Sequence, residues 1–557
     1  MVIYPFIAII KTNFFTDDEG AIIVLVSLKR RNILVKHVKL SSEIQVKSSE
    51  LRFVVTISRR DLLKGASFGL SAGLNMSITR AAGLQARVFD VVIVGGGTAG
   101  IPTAIFAALS GANVLVVEKT SNLGGTLLLS TGQIAGSGTI FQQRAGIVDS
   151  PDAHYDDIMR INRNTSDQSL TRLTVDNAGA TINWLADHGF EILPGHPVTG
   201  IGHDHFRIAR YLQGVNSGIS ILQAFLPTFQ ALASKGKITV ITESEVVELV
   251  KGKSGEILGV VVKDASNRLE DFHAANTVLA SGGCAANARM FEELHGVPLY
   301  TQAAYPASTG SGILLGLSAG GYLWGREKYA ALPGLIASEN RYPSPMQAWA
   351  PLNAKKRKPW ELLVNSEGER FVQEDHPSVH HLELEILRQK GHRHWAIFDS
   401  NILENSPPMI PDWNSARIIR EAQKNDMFCS AMELSSLALR AGLNPRKLKS
   451  TVEIYNAQLS SKSEDPFGRK FRPAVIQKPP FYAIQMQGWT LVSFAGLAVN
   501  ARLEVVDPNG RPIPNLFALG EVIGAGATSG KSYVNGMLVT PAITFGRILG
   551  SSLFRLA

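Results

Sequence analysis

A glycine-rich hexapeptide, GGGTAG at residues 95–100, has the spacing G-x-G-x-x-G. Gly95 permits a tight turn, Gly97 lets the backbone approach a pyrophosphate, and Gly100 lets a helix pack closely on a strand. Glu118 follows about 20 residues later, where a carboxylate can accept hydrogen bonds from ribose hydroxyls. Together these residues could bind the pyrophosphate and the ribose of a dinucleotide.

The elements needed to position these residues surround the hexapeptide in order. The preceding run, FDVVIV at 89–94, is apolar and rich in β-branched residues, which is typical of a buried parallel strand. The segment 101–110 has helical character, and a helix N-terminus offers free N–H groups and the positive end of a dipole to phosphates. A second apolar strand at 112–117 leads into Glu118. This order of strand, turn, helix, strand and acid predicts a Rossmann-like dinucleotide site.

Further motifs follow along the chain. A second glycine turn, LGGT at 123–126, comes just after Glu118, and later segments read ASGG at 280–283, NSEGERFVQE at 365–374 and PNLFALGE at 514–521. In this order they resemble the flavoprotein superfamily that contains fumarate reductase, the succinate dehydrogenase flavoprotein and 3-ketosteroid Δ1-dehydrogenase. The resemblance implies an α/β fold in which a Rossmann-like FAD-binding domain is split in sequence and an α+β capping domain is inserted.

The resemblance also implies a domain organisation. The FAD-binding domain should occupy residues 88–322 and 486–557, and the capping domain, which contributes to the substrate site, residues 323–485. The segment PAITFGR at 541–547 resembles the closing helix of the family, whose positive N-terminal end would stabilise an anionic reduced flavin.

The cofactor implied by the resemblance is FAD. No histidine stands beside the second glycine turn, where the succinate dehydrogenase subunits attach their flavin, so we expect non-covalent FAD. The two cysteines, Cys284 and Cys429, have no metal-ligand spacing, so we expect ordinary apolar side chains and no metal site, with a single disulfide as the alternative. The residues expected to contact FAD are Gly95, Gly97, Thr98, Ala99, Gly100, Glu118, Lys119, Gly124, Gly125, Thr126, Val246, Ala280, Gly282, Glu521, Met537 and Leu538.

Three positions at which fumarate reductases carry charged or proton-transferring residues differ in this chain. Ser378 replaces the arginine that follows the N-x-x-G-x-R-F-x-x-E signature, and Tyr533 replaces an arginine in the C-terminal glycine turn. The segment 491–496 lacks the expected histidine. A buried dicarboxylate needs paired cationic donors, because an unpaired buried charge is costly. The sequence therefore disfavours fumarate as the substrate.

The 3-ketosteroid dehydrogenases match better at one of these positions. Tyr533 with Gly536 resembles the tyrosine and the backbone N–H that hydrogen-bond the substrate carbonyl. Their tyrosine base corresponds to Ser378, so the base is changed or supplied by a neighbour. Histidine has an unperturbed pKa of about 6.5 and could accept the proton. The nearby histidines, which could equally be surface or helix-start residues, are His376, His380 and His381.

Weaker signals come from two other groups of residues. Arg326 and Tyr329 stand at the start of the expected capping domain and could face the substrate. His203, His205 and Arg207 could line a pocket entrance, although a solvated loop accounts for them equally well.

The favoured function is that of an FAD-dependent dehydrogenase or reductase of CH–CH bonds, acting on a C–C bond next to a carbonyl. The expected substrate is a largely apolar small molecule resembling a ketosteroid, and an external electron acceptor or donor would complete the reaction. Two alternatives stay open. One is a fumarate-reductase-like reductase of another unsaturated acid, and the other is a flavin-binding electron-transfer protein without its own small-molecule substrate.

The net charge of +8 is concentrated near the N-terminus, since residues 1–86 hold 12 Lys and Arg against 6 Asp and Glu. The rest of the chain holds 43 against 41. Nucleic-acid binding needs a basic face on a folded domain, so we expect no nucleic-acid partner.

The motif SRRDLLK at 58–64 resembles the start of a twin-arginine export leader, because a weakly apolar stretch and small residues follow it. We expect a leader at 58–86 and export to the periplasm by the twin-arginine machinery, with a cytoplasmic location as the alternative. Residues 1–57 form an unusually long extension before such a motif. Our hypothesis is that translation starts at Val54 or Val55, which would leave residues 1–53 outside the natural protein.

Overall fold

The computed structural model describes residues 87–554 and five short strands within residues 11–55. The chain divides into two compact units, Met1–Leu84 and Gln85–Ala557. The expected leader at 58–86 and the expected start sites lie outside the described residues, apart from the backbone of Val54 and Val55. Within the described residues, no helix combines the length and the apolar character needed to cross a membrane.

The first unit contains two small antiparallel sheets. One has three strands in chain order, and the other is a two-stranded ladder. The strands are Lys11–Thr16, Ile22–Leu28 and Arg31–Val35 in the first sheet, and Ile44–Gln45 and Val54–Val55 in the second.

The second unit is built on an eight-stranded sheet with a parallel core. Its central strand, Arg87–Val94, pairs in parallel with Val114–Val117 on one side and with Leu269–Leu279 on the other. Ile238–Ile241 extends the sheet beyond Val114–Val117, and Pro512–Ala518 pairs in parallel with the end of Leu269–Leu279. The C-terminal segment therefore completes the sheet that the G-x-G-x-x-G segment begins, which confirms the predicted split of the FAD-binding domain.

The long strand Leu269–Leu279 also joins a second, antiparallel layer. Its first half pairs with Ile257–Lys263, which pairs in turn with Glu245–Lys251. At the other end of the sheet, Glu504–Val506 pairs antiparallel with Pro512–Ala518. The central parallel strands are buried, as the unbroken apolar run in the sequence predicts, and the helix Gly100–Leu109 packs on them.

The helix that follows the first glycine turn packs on the C-terminal helix. They are Gly100–Leu109 and Val539–Leu553. A Cβ atom at Gly546 would lie 2.7 Å from the carbonyl oxygen of Ala99, and one at Gly550 would lie 2.5 Å from that of Thr103. Glycines four residues apart thus let the C-terminal helix approach the backbone of the first helix.

Shorter elements complete this part of the molecule. Gln133–Ala135 pairs with Tyr211–Gln213, and Leu323–Trp324 pairs with Gly496–Leu497. The remaining helices are Ile140–Arg144, Pro151–Asn162, Gln168–Asp187, Gly218–Ser234, Ala288–His295, Ser311–Ser318 and Gly526–Ser529, with 3₁₀ turns at Gly125–Leu128 and Gly520–Ile523.

An inserted region has a separate six-stranded antiparallel sheet and its own apolar core. The strand Phe481–Trp489 is buried along almost its whole length because it pairs with three other strands. The other strands are Leu332–Ala337, Met346–Trp349, Leu362–Val364, Arg393–Asp399 and Phe428–Ala431. The helices are Val379–Leu387, Ser400–Asn405, Ser415–Glu421, Leu434–Arg440 and Pro445–Ser460, with a 3₁₀ turn at Lys390–His392. The predicted inserted α+β cap is confirmed as a fold, and its boundaries at 323 and 485 stay predictions.

Candidate active site

A cavity of about 570 Å³ extends from the G-x-G-x-x-G turn to the cap. One end is lined by glycine turns and carboxylates of the parallel sheet, and the other by apolar and aromatic side chains from the cap strands and the segment 489–492. We call these the dinucleotide end and the cap end.

The first glycine turn is held in a conformation that larger residues could not adopt. Gly95 has a φ of +107°, and a Cβ atom there would lie 2.6 Å from the carbonyl oxygen of Ala280. A Cβ atom at Gly100 would lie only 1.8 Å from the carbonyl oxygen of Gly95. At Gly97, by contrast, a Cβ atom would make only an ordinary contact, 3.6 Å from the Cα atom of Gly125. Gly97 is therefore not required by the protein's own packing, which is what a glycine reserved for a ligand predicts.

The carboxylate of Glu118 is fixed at the end of its strand. Its Oε2 atom accepts a hydrogen bond of 2.8 Å from the N–H of Gly96, and its Oε1 atom accepts two bonds from Thr120. Next to it, Lys119 forms an ion pair of 2.8 Å with Glu245. These contacts position an acceptor against the glycine turn, as binding of an adenosine ribose requires.

The second glycine turn packs directly on the first. Gly125 has a φ of +51°, and a Cβ atom there would lie 2.9 Å from the Cα atom of Gly97. The hydroxyls of Thr98 and Thr126 are 2.9 Å apart. The two turns thus offer small side chains and backbone N–H groups to one stretch of the cavity, which suits a pyrophosphate.

Glu521 lines the cavity and is half-buried. Its Oε1 atom accepts hydrogen bonds from the N–H and the hydroxyl of Ser493, at 2.9 and 3.1 Å. Burial raises the pKa of Glu521 to about 7, against the opposing effect of Ser493. Its Oε2 atom has no hydrogen-bond partner among the described residues. A half-buried carboxyl that lines the cavity and has a free oxygen fits the ribityl hydroxyls of FAD.

Most of the residues predicted to contact FAD line the cavity. Gly100 and Gly124 shape the turns without lining the cavity, and all the other predicted contacts line it. Several lining residues were not identified from the sequence, because no motif marks them. Among these are Ser130, Thr131, Gln133 and Thr528. The residues present fit FAD, while the individual contacts remain predictions.

The cap end has a different chemistry. Trp349 and Trp489 meet edge to face with their ring centroids 6.4 Å apart, and Leu332, Met346 and Leu491 extend this apolar wall. The charged Glu118, Lys119, Glu245 and Glu521 that line the cavity all belong to the sheet and its C-terminal completion. Among the described residues that line the cavity, none is an arginine.

Tyr533 lines the cavity and is almost fully buried. Its hydroxyl lies 2.5 Å from Oγ1 of Thr490, which donates to the carbonyl oxygen of Val492 at 3.0 Å, so the Tyr533 O–H donates to Thr490. Its ring stacks on His203 at 5.1 Å and meets Phe494 edge to face at 5.6 Å. Burial raises the pKa of Tyr533, so the phenol stays neutral and keeps its proton.

His203 is the histidine of the cavity wall, and it begins a buried polar chain. Its Nδ1 atom lies 2.9 Å from Oε1 of Glu383, whose Oε2 atom is 3.4 Å from Nδ1 of His380. The Nε2 atom of His380 lies 2.8 Å from the hydroxyl of Ser532. Burial acts to raise the pKa of Glu383, but His203 and His380 outweigh it and hold the pKa below its usual value. Glu383 therefore carries a negative charge.

The loop that carries His203 is tied down from three sides. The side chain of Asn535 accepts from the N–H of Ile201 at 3.1 Å and donates to the carbonyl oxygen of Asp204 at 3.1 Å. Asn353 donates to the carbonyl oxygen of Gly202 at 3.2 Å. From the helix Val379–Leu387, the hydroxyl of Ser378 donates to the carboxylate of Asp204 at 2.6 Å.

The structure separates the predicted catalytic residues into two groups. Tyr533 lines the cavity, and His380 is linked to its wall through Glu383. Ser378 instead caps the helix Val379–Leu387, accepting from the N–H of His381 at 3.2 Å. The others also lie off the cavity: the rings of His376 and His381 are 4.1 Å apart, and Gly536 has a φ of +79° and packs against Ala135.

The weaker candidates divide in the same way. His203 lines the cavity, whereas His205, Arg207, Arg326 and Tyr329 do not. Glu383 and Thr490 were missed from the sequence. The spacing of His380 and Glu383, three residues apart on one helical face, was the only sequence signal for the first, and nothing marks the second. Both cysteines are buried and free.

Comparison with known proteins agrees with this geometry. A family model described as FAD binding domain matches residues 90–532. The fumarate reductase (cytochrome) of Shewanella frigidimarina is 27% identical over 469 residues, which are 83% of this chain and 76% of that protein. The urocanate reductase of Eggerthella lenta is 25% identical over 491 residues, 84% of this chain and 75% of that protein.

A solved structure has a similar fold. It is the 3-ketosteroid Δ1-dehydrogenase of Sterolibacterium denitrificans in complex with 1,4-androstadiene-3,17-dione, with a TM-score of 0.66 and 20% sequence identity, covering 85% of this chain and 100% of that one. The family match spans more than half of the chain and includes both glycine turns, Glu118 and Glu521. The chain therefore belongs to the FAD-binding-domain family and is an FAD-dependent oxidoreductase related to the fumarate reductases.

Proposed function

We propose that this enzyme dehydrogenates, or in reverse reduces, a C–C bond next to a carbonyl group in a largely apolar substrate of ketosteroid type. The observation that carries the proposal is the contrast within the cavity. Its cap end has aromatic and aliphatic walls, and the polar side chains that line this end include Tyr533 and His203. Among the described residues, no lysine or arginine lines this end. A dicarboxylate there would lack a permanently charged partner, which is costly, whereas a ketone needs only a hydrogen-bond donor.

Each part of the wall has a task in the proposed reaction. Bound FAD supplies hydride exchange with the substrate carbon. The Tyr533 O–H turns from Thr490 to the substrate carbonyl and stabilises the negative charge that develops on its oxygen. Trp349, Trp489 and Leu332 bind the apolar body of the substrate and exclude water from the reacting carbons.

The alternative substrate is another unsaturated acid. It is favoured by the names of the relatives, fumarate reductase and urocanate reductase. Such a substrate would need a clamp different from the arginines of fumarate reductases, because serine and tyrosine occupy two of their positions at 378 and 533. We give it second place for this reason.

The test is anaerobic reduction of the purified holoenzyme, followed through the flavin absorbance, with saturated 3-ketosteroids, simpler cyclic ketones and succinate. Bleaching by a ketone, slowed about tenfold or more in Tyr533→Phe, is the expected result. Tyr482→Phe, a tyrosine of the cap sheet outside the cavity, is the matched control and should bleach like the parent enzyme. Bleaching by succinate alone would overturn the proposal in favour of an acid substrate. Absence of bleaching by every compound would favour an electron-transfer role.

The electron partner and the location follow as separate proposals. We propose an external electron carrier, since the body of the chain has neither a haem-attachment motif nor paired cysteines for a cluster. We also propose export through the twin-arginine leader at 58–86. Loss of the Arg59–Arg60 pair should retain the full-length precursor in the cytoplasm, and unchanged export of that variant would contradict the leader.

A further inference from the structure

We propose that His203 is the residue that exchanges a proton with the substrate, and that Glu383 and His380 position it and balance its charge. The inference deepens the proposed function and rests on it. None of these three residues stands at the serine position where the family resemblance places the base, so the assignment comes from their contacts in the cavity wall.

Geometry makes His203 the substrate-facing member of the chain. Its Nδ1 atom is directed to Glu383, and its Nε2 atom has no hydrogen-bond partner among the described residues. The ring lies flat against Tyr533, at a centroid distance of 5.1 Å and an interplanar angle of 22°. Stacking therefore holds the imidazole ring next to Tyr533, the residue whose hydroxyl binds the carbonyl in the proposed function. A base in that place meets the carbon adjacent to the carbonyl.

Glu383 sets the form of the imidazole. As a buried carboxylate it can only accept hydrogen bonds, so it requires a proton on Nδ1 of His203 and leaves Nε2 with a lone pair. When Nε2 gains a proton, the negative charge of Glu383 compensates the positive ring. His380 contacts the other carboxylate oxygen and Ser532, so the carboxylate cannot rotate away.

In the dehydrogenation direction, the C–H bond next to the carbonyl breaks, its proton moves to Nε2 of His203, and its electron pair forms the new C=C bond. The neighbouring carbon loses a hydride with its electron pair, and FAD, when bound, would be the oxidant that accepts it. The proton on His203 is then released when the product leaves, because the side chain retains partial solvent exposure of 19%.

Variants of the holoenzyme test the assignment by turnover of 4-androstene-3,17-dione with an artificial electron acceptor. His203→Gln should lower kcat by about 100-fold or more, with KM little changed. Glu383→Gln keeps a hydrogen-bond acceptor but loses the charge, so kcat should fall about tenfold. His205→Gln is the matched control, since His205 lies on the same loop, bonds to Thr199 and does not line the cavity. Unchanged kcat in His203→Gln would overturn the proposal.

The pH profile separates a positioning role from a merely structural one. A neutral His203 is needed to accept the proton, so kcat/KM should fall at low pH. In Glu383→Gln the protonated ring loses its counter-charge, and this acidic limb should move to lower pH by about one unit or more. An unmoved limb would contradict the role of Glu383. The titratable groups in contact with His203 are Glu383, bonded to Nδ1, and Tyr533, stacked on the ring. His380 lies beyond Glu383, and Asp204 and His205 follow on the loop but bond to Ser378 and Thr199.

A measurement without turnover distinguishes failure of this inference from failure of the proposed function. In ¹⁵N-histidine-labelled holoenzyme, the His203 signals are those lost in His203→Gln. At high pH they should report a neutral ring protonated on Nδ1. A neutral ring protonated on Nε2 would contradict the assignment of His203 as the proton acceptor, whatever the substrate is. If the parent enzyme does not turn over the steroid while this tautomer is found, the proposed substrate has failed and the proton-transfer unit stands.

Discussion

The two ends of the cavity are built by different means. At the dinucleotide end, the backbone itself forms the surface: glycine turns touch each other, and Gly95, Gly100 and Gly125 have no room for a side chain. At the cap end, side chains from distant segments form the surface, including Trp349 and Tyr533. A binding surface formed by close-packed backbone tolerates few substitutions, whereas in a surface formed by side chains single residues can be replaced without changing the fold. The first end is therefore suited to a constant cofactor and the second to a substrate that differs between relatives.

The largest effect is expected from Gly100→Ala. A Cβ atom at this position would collide with the carbonyl oxygen of Gly95 at 1.8 Å, and the strand–turn–helix unit would have to open. We expect no yellow, soluble holoenzyme on expression. A stable protein with FAD bound at the level of the parent would show that this turn is not as tightly packed as described.

Gly97→Ala sharpens the same comparison. The new methyl group would meet only Gly125, at 3.6 Å, so the protein should fold normally. If the backbone of Gly97 faces the pyrophosphate, the methyl group would cost about 1–3 kcal/mol of FAD binding, which raises Kd by about 5- to 150-fold. Titration of the apoprotein with FAD measures it. An unchanged affinity for FAD would show that the pyrophosphate does not lie against Gly97.

The pH dependence of stability tests the environment of the Glu521 carboxyl. Its pKa of about 7 in the folded protein is above the ordinary value of 4.5. The folded state therefore holds a proton that the unfolded state has lost, and stability falls as pH rises from about 4.5 to about 7. Over this pH range the free energy of unfolding of the parent should fall by on the order of 3 kcal/mol, and in Glu521→Gln this decrease should be absent. Denaturant unfolding of the two apoproteins at pH 5 and pH 8 measures the difference, and parallel pH dependence would contradict it.

The smallest effect is expected at the mouth of the cap end. Trp349 is 41% exposed, so Trp349→Ala removes only part of an apolar contact with the substrate. KM for a turned-over ketosteroid should rise about tenfold, because about 1.4 kcal/mol of binding is lost, while FAD content stays at the level of the parent. Leu439→Ala, an exposed cap residue away from the cavity, is the control and should leave KM unchanged. A loss of FAD in Trp349→Ala would mean that the two ends are not independent.

The same contrast decides what could be predicted from the sequence. The glycine turns, Glu118 and Glu521 were predicted because backbone approach demands glycine and fixed spacing, and these leave local motifs. The split sheet and the inserted cap were implied by the family resemblance that those motifs carry. Ser378 was considered for the base because it aligns with a family position, yet its hydroxyl caps a helix and bonds to Asp204.

The residues of the cap end form no local sequence motif comparable to the glycine turns. His203 and Glu383 are 180 residues apart along the chain and meet only because the helix Val379–Leu387 packs on the loop at 200–204. Thr490 and Tyr533 come from two more segments. Contacts of this kind depend on tertiary packing, so a search for local motifs can name the residues as candidates but cannot bring them together.

The most direct test of the central claim is ligand binding to the oxidised holoenzyme, read as a change in the flavin absorption spectrum. We expect a saturable change with 4-androstene-3,17-dione at micromolar concentrations, and none with fumarate up to millimolar concentrations. Saturation by fumarate with no response to the steroid would contradict an apolar cap end that binds a ketone.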